Sequence, residues 1–269
     1  MSLNIREITS ATNNYNFHTH TQFCDGRATM EAFVIEARQI GYKHLGFSPH
    51  SPITFVTTCN MTKESVAFYF REIERLRERY GDINLYASME IDYIDEWGPW
   101  NEYFQHLPLD YRIGSVHFLR SFVDKDQYID IDGRPEHFVE KMHTYFKRDI
   151  KGVIESFYDQ SHMMVEKGGF DIIGHFDKIG FNAEAFSPGV TSAPWYDRLV
   201  TNLAKSIVEH RHIVEINTKS WLPRQRFFPH LKYFGLLKEL GAQVVFNSDC
   251  HVPALLSAGR DEAIKMYSE

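Results

Sequence analysis

Four short stretches, QIGYKH, RYGDIN, EKGGFD and ELGAQV, each set a glycine between a helix-like run and a short apolar one. Gly41, Gly81, Gly168 and Gly241 stand where a helix commonly ends in a left-handed residue, a conformation that glycine adopts without a Cβ clash. A chain that repeats strand, helix, glycine, strand winds its strands in parallel, because each crossover helix returns the chain to the same starting edge. The strand candidates are residues 14–17, 44–48, 84–89, 111–116, 170–174, 213–217 and 243–247. Most are too uniformly apolar for a half-exposed sheet, which predicts strands covered on both faces.

Helical periodicity fills the intervals. Met30, Phe33, Val34, Ala37 and Ile40 fall at i, i+3, i+4, i+7 and i+10, and Trp195, Leu199, Val200, Leu203 and Ile207 form a similar stripe. Leu236, Leu237 and Leu240 do so more briefly. Two segments interrupt the alternation: DYIDEWGPWNEYFQHLPLD is aromatic-rich, and LRSFVDKDQYIDIDGRPEHF is long and polar. Both read as enlarged strand-to-helix loops, which gather at the edge where such folds build their sites. With no repeat, low-complexity tract or linker, residues 1–269 read as a single domain of the α/β class.

Composition narrows the function. A net charge of −7 argues against broad binding to nucleic acid or to an anionic membrane, while leaving room for a locally basic pocket. No apolar run approaches the ~18 residues that span a bilayer, and MSLNIREITS lacks the pattern of a secretion signal. The 3 cysteines have no regular spacing and suit a reducing cytoplasm.

The polar residues then fall into register with the strands. His18, His20 and Asp25 lie in NFHTHTQFCDG after the first strand, His50 in FSPHSP after the second, and Glu90 in ASMEIDY after the third. His117 in GSVHF ends the fourth, His175 in IIGHFD the fifth, and Asp249 and His251 in NSDCH the seventh. Within HTH and DCH the spacing is i, i+2, which in extended chain points both side chains to one face. Residues remote in sequence thus reach one edge of one sheet. Such a set exceeds the four to six ligands of a single ion and, with one carboxylate bridging, suits two or three. Paired metals are a common solution for phosphoryl hydrolysis, acidifying water and neutralising charge at phosphorus.

The other histidines (His44, His106, His137, His143, His162, His210, His212 and His230) fall in helices, loops or strand starts and read as non-ligands. Cys24 and Cys250 sit beside candidates but read as bystanders, and Cys59 has no metal-binding context. Lys219, Arg224 and Arg226, in NTKSWLPRQR after the sixth strand, are candidates to clamp phosphate oxygens. Trp97 and Trp100 read chiefly as packing with a lesser part as pocket wall, and Asp92 and Asp95 as solvated carboxylates. REIERLRERY reads as an exposed helix face.

In this order of HxH, loop aspartate, second-strand histidine, ME-D-Y, GSVH, GH-D and SD-H, the chain resembles the polymerase and histidinol phosphatase (PHP) family over about residues 16–258, and within it the histidinol-phosphatase branch. The resemblance implies a distorted (β/α)7 barrel, TIM-barrel-like, with a trinuclear centre of zinc, manganese or iron. His18, His20, Glu90 and Asp249 would hold one ion, Glu90, His117 and His175 a second, and Asp25, His50 and His251 a third. It implies hydrolysis of L-histidinol phosphate, in histidine biosynthesis, by a metal-bridging hydroxide. Asp249 or His251 is the candidate proton donor to the leaving alkoxide, and Arg224 the favoured phosphate contact. One departure stands out: the family usually has an acidic residue before the second-strand histidine, and here it is Pro49. That puts a supporting contact to His50 in question rather than the ligand.

The expected partner is a small phosphate ester, without stable nucleic-acid or membrane binding. Alternatives are a related esterase acting on a nucleotide, a short oligonucleotide or a phosphotyrosine protein, an amidohydrolase-type barrel, and a non-catalytic scaffold. Glu90 in the bridging position disfavours the amidohydrolase-type barrel, and a complete ligand set the scaffold.

Overall fold

The computed structural model describes residues 3–94 and 97–269. Its strands are β1 Tyr15–Asn16, β2 His44–Phe47, β3 Asn84–Ala87, β4 Glu90–Asp92, β5 Ile113–Ser115, β6 Phe118–Arg120, β7 Tyr128–Asp130, β8 Ile172–Ile173, β9 Ile213–Asn217 and β10 Val244–Asn247. The α-helices are α1 Ile5–Ala11, α2 Met30–Gln39, α3 Ser65–Arg79, α4 Glu102–Gln105, α5 Pro135–Thr144, α6 Ile150–Lys167, α7 Ile179–Phe186, α8 Pro194–Glu209, α9 Trp221–Arg224, α10 Phe234–Glu239 and α11 Arg260–Ser268. Local chemistry sets several starts. Thr29 caps α2 by accepting from the Ala32 amide at 3.2 Å, Asp149 caps α6 through the Gly152 amide at 2.9 Å, and Pro194 opens α8 where no amide is needed.

The fold is mixed α/β with parallel sheets. One sheet runs β1-β2-β3 and a second β10-β9-β8-β5-β4, every neighbouring pair being parallel. Isolated parallel bridges span the gaps between them, Thr19 with Cys250 at one side and His50 with Glu90 at the other. Each expected strand segment contains a strand, but the third divides. β3 pairs with β2, the chain jogs at Ser88 and Met89, and β4 continues alongside β5. The Tyr69 hydroxyl from α3 occupies the jog, donating to the Phe47 carbonyl at 2.9 Å and accepting from the Ser88 amide at 3.0 Å.

Two other expectations change. The polar segment after the fourth strand contains an antiparallel pair, β6 with β7, on which Phe55 packs at 5.1 Å from Phe118 and 5.4 Å from Tyr128. Gly41 and Gly241 take positive φ as expected, at +83° and +65°, and so does Gly168 at +71°. Gly81 does not: α3 exits through Tyr80 at φ −121°, so no left-handed residue is required there.

The interior is graded along the strands. Tyr15, Phe17, Tyr111, Ile113, Ile172, Ile213 and Val245 form an apolar floor at the strands' starting end, with Ile5 of α1 packed against it. Gly46 makes room there, because any Cβ would collide with the Tyr111 hydroxyl that donates to the Phe17 carbonyl. At the other end of the strands the buried side chains are polar. Among the described residues no helix is long and apolar enough to cross a membrane.

Candidate metal centre

All of the sequence-predicted donors meet at the C-terminal edge of the strands, and Glu90 is their hub. Its Oε1 lies 2.8 Å from His175 Nε2 and 3.4 Å from His117 Nε2. Its Oε2 lies 3.3 Å from His18 Nε2, 3.5 Å from His20 Nε2 and 3.1 Å from His50 Nδ1. Asp249 Oδ1 approaches His20 Nε2 to 3.0 Å and His18 Nε2 to 3.9 Å. On the outer side Asp25 reaches His251 Nε2 at 3.2 Å, His20 Nδ1 at 3.5 Å and His50 Nε2 at 4.0 Å. Ligand atoms of His20, Asp25, His50 and His251 lie within 4.8 Å of one another, as do those of His18, His20 and Glu90, and those of His50, Glu90 and His117. His20 and His50 therefore each reach more than one group. Among the described residues no such group contains a cysteine, although Cys24 Sγ is 3.5 Å from His20 Nδ1.

The backbone is bent to make this set. His175 and Asp249 hold φ of +22° and +47°, values that non-glycine residues rarely adopt and that concentrate at functional positions. Gly26 lets the loop fold Asp25 back over the cluster, since a Cβ there would run into the backbone of His20 and Thr21.

The donors fit divalent cations. His18 and His20 face each other through their Nε2 atoms at 3.2 Å, and His117 and His175 do so at 3.3 Å. Two neutral imidazole nitrogens at that distance need a proton or a cation beside them. Asp25 Oδ1, His50 Nδ1 and Glu90 Oε2 are buried without a hydrogen-bond partner, an expensive condition unless something else satisfies them. In the metal-free chain protons do this work. Burial would lower the pKa of His18, but Glu215, Glu90 and Asp249 raise it to about 10. His117 is likewise penalised by burial, yet Asp92 and Glu90 raise it to about 9. His251 goes the other way, burial together with Lys219 and His20 lowering it to about 4. Burial works against the charged form of Glu90, but His18, His117 and His50 hold its carboxyl well below the ordinary range.

Two supporting carboxylates emerge only in three dimensions. Glu215 accepts from His18 Nδ1 at 2.6 Å and also from the His175 amide at 3.1 Å and Asn247 Nδ2 at 2.9 Å. Asp92 accepts from His117 Nδ1 at 2.7 Å and is only 1% exposed, so its reading as a solvated carboxylate is corrected. Each contact fixes a tautomer that leaves Nε2 free to bind a cation. Asp95 lies outside the described residues. His50 has no such helper, because its nitrogens face Glu90 and Asp25 themselves, in keeping with Pro49 before it.

A cleft of about 420 Å³ opens on the cluster at Asp25, His50 and His117. Phe118, Phe181, Phe228 and Pro223 give it apolar walls, and Lys219, Arg224 and Lys178 give it positive charge. A second cleft of about 700 Å³ meets the cluster at Asp249 and His251 and is lined by Leu222, Val252 and Leu255. Lys219 Nζ lies 3.1 Å from Asp249 Oδ1, and Arg224 stacks 4.2 Å from the Phe181 ring. Arg226 is a correction: its Nη2 lies 3.5 Å from Asp177 Oδ2 and it lines a separate small cavity with Tyr196 and Tyr233. The tryptophans line neither cleft. Trp97 donates to the Pro52 carbonyl at 2.8 Å, and Trp100 packs 5.3 Å from Tyr93. Lys178 was not singled out by the sequence, nor was Glu215, whose signal was a lone acid inside the apolar run HIVEIN.

No curated protein matches the chain significantly in sequence. Among solved structures, a candidate histidinol phosphatase, hisK, from Listeria monocytogenes superposes with a TM-score of 0.79 at 19% identity, covering 92% of this chain and 99% of that one. Histidinol phosphate phosphatase (HISK) from Lactococcus lactis subsp. lactis Il1403, complexed with zinc, L-histidinol and phosphate, superposes with a TM-score of 0.66 at 16% identity, covering 95% and 93%. At these identities the likeness is one of fold. The sequence profile of the PHP domain matches residues 16–219, most of the chain, and so places it in the family that its donor order resembles: the chain belongs to the PHP domain family.

Proposed function

We propose that this chain is a metal-dependent phosphomonoesterase that hydrolyses L-histidinol phosphate to L-histidinol and phosphate, with residues 1–269 acting as one cytoplasmic domain. In this reading the strands close into a distorted (β/α)7 barrel through the Thr19–Cys250 and His50–Glu90 bridges. The observation that carries it is the convergence on Glu90 of buried imidazoles and carboxylates with unpartnered ligand atoms, beside a cleft that holds fixed positive charge.

His18, His20, Glu90 and Asp249 would hold one ion, Glu90, His117 and His175 another, and Asp25, His50 and His251 a third. When bound, two or three such ions (zinc, manganese or iron) acidify water and neutralise charge at phosphorus. The protein's own groups do the rest. Glu215 and Asp92 keep His18 and His117 aimed at the centre. Lys219 and Arg224 offer charge to the phosphoryl oxygens. Asp249 or His251, both beside Lys219, would relay a proton from water to the departing alkoxide. Phe118, Phe181 and Phe228 give an apolar wall on which a flat ring can rest. The zinc, L-histidinol and phosphate bound by the Lactococcus lactis neighbour support this choice of substrate. The second, larger cleft favours a related reading, in which the substrate is a nucleotide, a short oligonucleotide or a phosphotyrosine protein.

The test is phosphate release from L-histidinol phosphate, phosphotyrosine, nucleotides and a dinucleotide, with and without chelator. L-histidinol phosphate is expected to show the highest kcat/KM, with activity lost on chelation and restored by zinc or manganese. A preference of about tenfold or more for another compound moves the substrate assignment to that compound. Release that survives complete metal removal overturns the whole reading.

A further inference from the structure

Lys178 stands at the start of α7, three residues past His175. Its Nζ lies 2.5 Å from Asp132 Oδ2, and the same carboxylate oxygen is 3.6 Å from His117 Nε2. Both side chains line the cleft that Lys219 and Arg224 also line. At 18% and 20% exposure the pair is neither a solvated surface bridge nor sealed in the core. It faces the cavity, next to the nitrogen through which His117 would reach a cation.

An ammonium has three donors, and Asp132 is the one side-chain partner of Lys178 among the described residues. Burial disfavours its charge, but Asp132, Asp249 and Glu90 raise its pKa, so it stays an ammonium and feels the carboxylates at the centre of the cluster. A cation with spare donors, half-sheltered at the mouth of the proposed phosphoryl site, is placed to bind an anion that enters the cleft.

We infer that Lys178 is a phosphate-binding residue, held by Asp132 until a phosphoryl oxygen takes the carboxylate's place. The inference rests on the phosphoesterase reading and deepens it: Lys178 comes from the loop after β8, whereas Lys219 and Arg224 follow β9. It also assigns Asp132 a sign. If Asp132 competes with phosphate for Lys178, removing its charge helps phosphate bind. If the two merely brace the fold, removing either one weakens the site.

The experiment is calorimetric titration of inorganic phosphate into the manganese-loaded full chain, with metal content measured for each variant. Lys178→Gln is expected to raise the phosphate Kd by on the order of tenfold or more, the usual consequence of losing a charge-assisted contact, and Lys178→Arg to recover most of it. Asp132→Asn is expected to preserve or tighten binding. An unchanged Kd in Lys178→Gln at matched metal content overturns the inference while leaving the phosphoesterase reading intact. Weakening by Asp132→Asn as large as that by Lys178→Gln also overturns it, in favour of a bracing pair. A loaded wild-type chain that binds no phosphate overturns the parent reading and this one with it.

Discussion

The strands carry two different interiors along their length. At the starting end Phe17, Ile113, Ile213 and Val245 belong to the apolar floor; one or two residues on, the same chains bury His18, Ser115, Glu215 and Asn247, and further on Asn217 and Asp249. In β5, β9 and β10 the alternation runs on unbroken and only the chemistry of the inward residue differs, whereas in the first strand it shifts by one between Phe17 and His18. The floor gains about 25 cal/mol for each Å² of carbon taken from water and is indifferent to protons and cations. The polar end costs energy to bury and is compensated only by its mutual contacts or by bound charge. Stability can thereby be attacked at the floor without touching the chemistry, whereas the polar end, where bound charge would support both, ties the two together.

Glu90→Gln should have the largest effect. Removing the hub charge is expected to lower kcat by on the order of a thousandfold or more and to reduce bound metal, measured by phosphate release and elemental analysis. At the floor, Ile213→Ala should cost about 2–5 kcal/mol in urea denaturation, with metal content and kcat per folded chain unchanged. Lost metal with an unshifted denaturation midpoint would break the separation. Glu215→Gln sharpens it, because Glu215 lies two residues beyond Ile213 yet supports His18: about 10–100-fold weaker metal binding is expected, by competition with a chromophoric chelator.

The smallest effect concerns pH. In the metal-free chain His18 and His117 have pKa values raised to about 10 and about 9, above those of the unfolded chain. Their contribution to stability is therefore complete below about pH 6.5 and is lost as pH rises through 9 and 10. Depressed groups such as Glu90, Asp249 and His251 act at the acid side, where stability falls as they take up protons. Chelated protein should lose several degrees of Tm between about pH 7 and pH 10, and the loaded protein much less, because cations there replace the protons.

Much of the site was legible because its donors are local signals placed at strand ends. HTH and DCH declare a shared face by spacing alone, and a parallel sheet brings every strand end to one edge. What escaped the sequence depends on contacts made at a distance. The jog between β3 and β4 follows from a hydroxyl on α3 that no strand pattern contains. Arg226 and Arg224 are neighbours in the chain, yet Gln225 between them turns the backbone at φ +50° and the two guanidinium groups part. Asp92 looked solvated among other acids, although it lies i+2 from Glu90 and so follows the same alternation. Glu215 could have been found by asking what a carboxylate does inside an apolar strand. Lys178 had no such mark, because its partner Asp132 comes from a different loop.

The bridges between the two sheets lie within the donor groups: Thr19 separates His18 from His20, Cys250 separates Asp249 from His251, and the other bridge is formed by His50 and Glu90 themselves. Cations gathered by these residues would act as rivets across both seams, joining early and late parts of the chain. Mechanical integrity and catalytic readiness would then be one property, and a cell short of the ion would meet a looser molecule as well as an idle one.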